Sequence, residues 1–269
     1  DVEKAALESF AEIGGHPASS AGKVIANSEV TLVALPSIAA LESSIGGSQG
    51  MVSAAGPDHV ICEMSTLSLA AKEQARSELA ANGANLLDCP VSGTGAQAAE
   101  GDLVIYASGD EASFDKAHPV LDALGRKTTY VGEFGTGTKL KFVANLLVTI
   151  HNIAAGEALL LAERSGLELD MVYDAISSGA GTSRMFEVRG PMMVADNYEP
   201  ATMKQDIFIK DVELILQHAR ETNTPTPLLA ASLPIYLASL AQGRGKQDTA
   251  SVFATLRKLA ENITTKNQK

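Results

Sequence analysis

The sequence predicts an α/β domain over residues 1–136 followed by an all-helical domain over residues 137–269. Three observations lead there. Short β-rich runs alternate with helically periodic segments through the first half, the pattern of a largely parallel sheet with helices on its faces. The strand pattern stops near Gly135 to Gly137. From there TGTKLKFVANLLVTIHNIAAGEALLLAERSG runs without proline, about eight turns if helical. Apolar on most faces, it is too hydrophobic to stand alone in water and should be the core of the second domain or of a dimer.

The strands are read at EVTLVALP (29–36), HVICEM (59–64), ANLLDCPVS (84–92), DLVIYASG (102–109) and KTTYVG (127–132), each rich in β-branched or aliphatic residues. Between them KAALESFAEIGG (4–15), LAAKEQARSELAANG (69–83) and EASFDKAHPVLDALG (111–125) carry helical periodicity, with glycine as a stop signal. Past the long helix, further helices are expected near 169–178, 203–223, 226–242 and 248–262, and the final TTKNQK reads as a polar tail. The chain opens on a helix start, DVEKAAL, with no strand before it. A doubly wound nucleotide domain opens with a strand and a glycine-rich turn that holds the pyrophosphate. No G-x-G-x-x-G follows a strand here, so either the protein binds no dinucleotide or the sequence as given lacks the first strand, turn, helix and second strand.

Composition narrows the function classes. With 269 residues, 45% of them apolar, the chain can bury one large core or two ordinary ones. A formal charge of −11 without any basic run gives no electrostatic reason to expect nucleic acid or an anionic membrane as partner. No uninterrupted apolar stretch approaches the roughly 20 residues of a spanning helix, and the N-terminus lacks a signal-peptide pattern. Cys62 and Cys89 lie in short apolar runs read as buried strands, so packed thiols and a cytoplasmic location are expected rather than a disulfide. The histidines, at 16, 59, 118, 151 and 218, show no ligand spacing, and no metal is expected.

Two segments carry chemistry. In DCPVSGTGAQAAEGDL (88–103), Ser92, Gly93, Thr94 and Gly95 follow a strand and should lie in the crevice at its carboxyl end, where α/β sheets bind ligands. Small residues let a ligand approach the backbone, and hydroxyls and amides can donate to a carboxylate, though the same text also suits an ordinary turn. In GTGTKLKFVANLL (135–147), Lys139 and Lys141 point about 200° apart on a helix, whereas Lys141 and Asn145 share a face. A helix lysine read alone is usually a snorkelling surface residue.

The order D-x-P-V-S-G, then G-x-G-x-x-x-K-x-x-x-N at Gly135, Gly137, Lys141 and Asn145, resembles the β-hydroxyacid dehydrogenase family, and the resemblance extends over essentially the whole chain. Leu35-Pro36 is similar to the family's cofactor-contacting Leu-Pro, Met64-Ser65-Thr66 to its second cofactor strand end, Lys210-Asp211 to its Lys-Asp pair, and GRGKQD (243–248) to a late glycine signature. The resemblance implies a Rossmann-like doubly wound domain, lacking in this sequence its opening strand-turn-helix-strand of about 30 residues, and an all-α C-terminal domain. It implies an NAD(P)-dependent oxidation of a small β-hydroxy acid, with Lys141 as general acid and base and Asp211 supporting. Ser92, Gly93, Thr94 and Asn145 would hold substrate; Asp1, Leu35, Pro36, Thr66 and Lys210 would hold NAD, with NADP possible.

Asp1 as the ribose-binding acid would favour NAD, because a 2′-phosphate would meet its charge; it also reads as a plain helix cap. Thr94 and Gln97 stand where family members commonly have glycine, which changes the substrate pocket. Ala144 replaces the histidine of the related 6-phosphogluconate dehydrogenases, and Lys141 itself argues against imine reductases. Ser183 and Arg184 invite a carboxylate-clamp reading, or simply a helix start. A non-catalytic dimeric ligand-binding scaffold is the alternative, and exposed apolar faces on such long helices imply a homodimer or homotetramer.

Overall fold

The computed structural model describes residues 1–266; residues 267–269, the end of the TTKNQK run, lie outside the described residues. The chain forms two compact units, one of residues 1–93 with 100–139 and the other of residues 94–99 with 140–269.

The first unit alternates strands and helices as its sequence pattern requires. Its elements are α1 (Lys4–Glu12), α2 (Ala21–Ile25), β1 (Val30–Val33), α3 (Ile38–Ile45), β2 (Val60–Glu63), α4 (Leu69–Ala80), β3 (Asn85–Asp88), β4 (Val91–Ser92), β5 (Leu103–Ala107), α6 (Glu111–Asp122) and β6 (Gly125–Tyr130). Helices α2, α3, α4 and α6 start on Ser20, Ser37, Ser68 and Asp110, each side chain accepting the backbone N–H three residues on. Strands β1, β2 and β3 pair in parallel in that order, and the apolar side chains of β2 fill both faces. Ile61 packs with Ile25, Leu41, Ile45 and Leu79 on one side, and Cys62 with Leu87, Ile105 and Leu121 on the other.

The run ANLLDCPVS is not one strand. It breaks at Cys89-Pro90 into β3, parallel to β2, and β4, antiparallel to β5. Proline cannot donate to a ladder, so the parallel register ends there. β5 and β6 pair in parallel, so the expected single, largely parallel sheet is two three-stranded sheets, the second of them mixed. Ser92 therefore lies in a short antiparallel strand, one turn of chain beyond the carboxyl end of the parallel strand β3.

Helix α7 (Thr136–Arg164) has its first turn in the first unit and continues in the second from Leu140, followed there by α8 (Leu169–Ser177), α9 (Arg184–Val194), α10 (Gln205–Glu221), α11 (Pro227–Ala241) and α12 (Val252–Lys266); α5 (Gly95–Ala99) is the short segment that groups with them. Their core holds Phe142, Ile153, Leu159, Phe186, Met193, Phe208, Ile215, Leu229, Tyr236 and Phe253. By length and composition α7 could cross a membrane, contrary to the expectation from uninterrupted runs, because its lysines cluster at one end. Its place here is that of a core helix, with Phe142, Ile153 and Leu159 buried against α10, α11 and α12 residues. Helix α9 is not among the helices expected from the sequence, and it runs on through Gly190-Pro191. Gly190 is needed for packing: a Cβ there would lie 2.8 Å from the Tyr173 ring.

Candidate active site

In the first unit, the candidate cofactor residues sit just past adjacent parallel strands. Leu35 N–H donates to Ser65 Oγ at 2.7 Å, and Met64 N–H donates to Val33 O at 2.7 Å, so the ends of β1 and β2 are tied together. Leu35 and Thr66 are half-buried and Pro36 is exposed, which leaves this edge open to a ligand. The carboxyl edge of a parallel sheet is where α/β domains take a dinucleotide. Asp1 is exposed, and its Oδ1 accepts Glu3 N–H at 2.9 Å immediately before α1. This is a two-residue contact ahead of the helix: the cap position of α1 is Glu3, which makes no side-chain cap bond, so the helix-cap reading of Asp1 does not hold.

Gly137 explains one glycine of the G-x-G motif. Its N–H donates to Ser108 Oγ at 3.0 Å, and a Cβ there would stand 2.4 Å from Tyr106 O. Gly135 has φ +88°, a left-handed conformation that suits glycine just before the helix starts. Ser92 and Gly93 are half-buried, and Gly93 has φ +144°.

In the second unit, α7 and α10 bring four of the expected residues together. Lys141 is 8% exposed and Asn145, one turn on, is 5% exposed, whereas Lys139, in the first unit, is exposed. Asn145 Nδ2 donates to Asp211 Oδ2 at 2.9 Å, and Lys210 Nζ pairs with Asp211 Oδ1 at 3.1 Å. One carboxylate therefore takes the asparagine on one oxygen and the lysine on the other. Burial lowers the Lys141 amine to about 8, opposed by the charge of Asp211 and assisted by that of Lys210. The same burial holds Asp211 above the usual carboxylate range, against the pull of Lys210 and Lys141. A lysine so tuned exchanges a proton near neutral pH.

The GRGKQD segment has a structural task here. Asp248 Oδ2 accepts Thr202 N–H at 2.8 Å, Thr202 Oγ1 at 2.7 Å and Met203 N–H at 3.0 Å, just before α10. Gln205 N–H donates to Gln247 O and Asp206 N–H to Gly245 O, so the segment seats the N-terminus of the helix that carries Lys210 and Asp211. Thr94 N–H donates to Gln97 Oε1 at 3.0 Å, which ties together the two residues that depart from the family pattern. Ser183 is the cap of α9, accepting Phe186 N–H, and Arg184 is exposed and paired with Glu187 at 3.2 Å; both fit the helix-start reading. Glu163 pairs with Arg257 at 2.7 Å, and Glu157 is exposed.

The sequence reading missed a buried charge cluster, Glu63, Lys72 and Asp88, under the strand ends of the first unit. A signal was present: Lys72 shares the buried face of α4 with Ala75 and Leu79, a position where helical periodicity calls for an apolar residue.

Open strand ends suited to a dinucleotide, and a buried amine poised to exchange a proton, are the working parts of a dehydrogenase in which the coenzyme carries the hydride. Residues 1–132 match the family described as the NAD binding domain of 6-phosphogluconate dehydrogenase, and residues 135–256 that described as NAD-binding of NADP-dependent 3-hydroxyisobutyrate dehydrogenase. An L-threonate dehydrogenase of Cupriavidus necator is 33% identical over 254 residues, 94% of this chain and 85% of that protein. A 2-(hydroxymethyl)glutarate dehydrogenase of Eubacterium barkeri is 29% identical over 253 residues, 94% of this chain and 84% of its own. The crystal structure of a 3-hydroxyisobutyrate dehydrogenase from Salmonella typhimurium superposes with a TM-score of 0.85 at 31% identity, covering 94% of this chain and 89% of that one. The chain belongs to the β-hydroxyacid dehydrogenase family, NAD(P)-dependent oxidoreductases with a Rossmann-like domain followed by a helical one.

Proposed function

We propose that this chain oxidises a small β-hydroxy acid reversibly to the semialdehyde or keto acid, with Lys141 as the general acid and base. The observation that carries the role of Lys141 is its burial beside Asn145 and Asp211 with an amine lowered to about 8. Bound nicotinamide supplies the hydride acceptor in oxidation and the donor in reduction. In oxidation the neutral amine of Lys141 takes the substrate hydroxyl proton; in reduction its ammonium returns that proton to the forming alkoxide. Asn145, with one N–H committed to Asp211, keeps its carbonyl oxygen and a second N–H for the substrate hydroxyl. Ser92, Gly93 and Thr94 are our candidates for the substrate carboxylate. Leu35, Pro36, Thr66 and Lys210 are those for the cofactor, and Asp1 is that for its ribose, which favours NAD.

The relatives named for L-threonate support a polyhydroxylated acid as the first substrate to try, and the Thr94 hydroxyl adds a polar group where the family commonly has none. Exposed Val143 (60%) and Leu161 (71%) on α7 support assembly as a homodimer or homotetramer. The unpaired buried thiols of Cys62 and Cys89 support a cytoplasmic location.

The experiment is to follow nicotinamide absorbance with NAD and with NADP across a panel of short hydroxy acids that includes L-threonate, comparing the parent with Lys141→Ala. Turnover that falls by about 10²–10⁴ in the variant while cofactor binding persists is the expected result. Undiminished turnover in the variant sinks the role of Lys141, and absence of cofactor binding in the parent sinks the whole reading.

A further inference from the structure

Beneath the strand ends of the first unit lies a lysine that no motif accounts for. Lys72 on α4, Glu63 at the end of β2 and Asp88 at the end of β3 have no solvent exposure. Lys72 Nζ lies 2.6 Å from Glu63 Oε2, as an ion pair outside hydrogen-bond alignment, and donates to Asp88 Oδ1 at 2.7 Å. Burial alone would lower the ammonium, but Asp88 and Glu63 outweigh it and hold Lys72 above the ordinary lysine range. The lysine is therefore charged.

The two carboxylates point to different parts of the unit. Asp88 accepts Thr138 N–H and Thr138 Oγ1, each at 2.7 Å, and Ser108 Oγ at 3.3 Å. Glu63 Oε1 accepts Ser65 N–H at 3.0 Å, and Ser65 Oγ in turn accepts Leu35 N–H at 2.7 Å. An apolar trio of the same volume would fill this space at lower desolvation cost. It would not present an oxygen to Ser65. A carboxylate has two oxygens, and here the Lys72 ammonium lies against Oε2 as an ion pair while Oε1 accepts Ser65 N–H.

We propose that Lys72 is a positioning residue for the coenzyme: by holding one oxygen of Glu63 it aims the other at Ser65 N–H and so fixes the paired strand ends that carry Leu35, Pro36 and Thr66. The inference rests on the assignment of those strand ends to the coenzyme.

Glu63→Gln separates this role from general stability. The glutamine has the same shape and a single oxygen, which the Lys72 ammonium draws away from Ser65 N–H, while Lys72 and Asp88 remain charge-balanced. Adding Lys72→Met frees that oxygen for Ser65 and leaves Asp88 its Thr138 and Ser108 donors, so the double variant should regain what the single one loses. NADH binding is read by nicotinamide fluorescence on the intact protein, and amide hydrogen exchange at Leu35 and Ser65 is read without NADH. The expected result is about tenfold weaker NADH binding in Glu63→Gln, recovery to within about threefold of the parent in the double variant, and the same order in exchange protection.

A purely structural cluster would instead leave the double variant no better than the single, and that outcome overturns the proposal. Parent-like binding in Glu63→Gln overturns it as well. Should Glu63→Gln fail to fold, Lys72→Met with Asp88→Asn decides, read by amide exchange: faster exchange at Leu35 and Ser65 with α6 amides unchanged supports the proposal, and exchange that is unchanged at Leu35 and Ser65, or raised throughout the unit, overturns it. A parent that binds no NADH overturns the coenzyme assignment and this inference together, whereas unaffected variants of a binding parent overturn the inference alone.

Discussion

At Lys141 and Asp211 the same burial pushes two groups in opposite directions, the amine down and the carboxyl up, because each charged form loses solvation. Two predictions belong to these residues. With Lys141 as the proposed base, oxidation draws on its neutral amine, so kcat for oxidation should climb with pH to a plateau above about 8, and reduction should mirror it. Asp211→Asn removes the charge that raises Lys141, so the inflection should move to lower pH; a profile that stays put would refute the coupling. For stability the sign follows from linkage. The folded state depresses Lys141, so its protonated form is penalised below about 8, and the penalty fades as pH rises towards the value of an unfolded lysine. Lys141→Met should therefore raise unfolding stability at pH 7 by on the order of 2 kcal/mol, with the gain vanishing above pH of about 10.5 in urea titrations. That Lys139 and Lys141 face apart was legible from helical spacing, but only the family's motif order marked Lys141 as the inward one, and it is the buried one. The partner of Asn145 was not legible, since Asp211 lies 66 positions away.

Among elements, α10 shows how a site is set from outside it. Its first turn is seated by Asp248, which also pairs with buried Arg189 at 3.3 Å. Asp248→Ala strands that guanidinium and five donors from Thr202, Met203, Thr249 and Ala250, so a loss of about 3–5 kcal/mol is expected in denaturant unfolding. Activity should fall with it even at temperatures where the variant is folded, because Lys210 and Asp211 ride on the same helix. The start of α7 is equally constrained: Gly137→Ala would push a methyl to 2.4 Å from Tyr106 O and 2.9 Å from Asp88 O. A cost of about 1–3 kcal/mol, measured as a lowered melting temperature, is the expected outcome of such overpacking. Most element positions could be read from periodicity and stop signals. The break at Pro90 and the helix through Gly190-Pro191 could not, because in both a local breaker is interpreted by its surroundings, a register end in one case and a close ring contact in the other.

For the whole molecule, the exposed apolar residues Val143, Leu147 and Leu161 share one side of α7, and the proposed assembly is tested there. Light scattering at micromolar concentration should give twice or four times the chain mass, and Leu147→Glu with Leu161→Glu should shift it towards the monomer. A monomeric parent would remove the argument.

The sequence by itself determined the alternation of strands and helices, the all-helical second half, and the ordered motifs from Leu35-Pro36 to Asp248 that mark the family. These are local or linear properties, set by side-chain period, turn residues and motif order. Only the tertiary structure decided which buried charges meet: Lys72 with Glu63 and Asp88, Asp88 with Thr138 across 50 positions, and Asn145 with Asp211. A buried ion must find its counter-charge wherever the fold brings one, and no periodicity records that meeting.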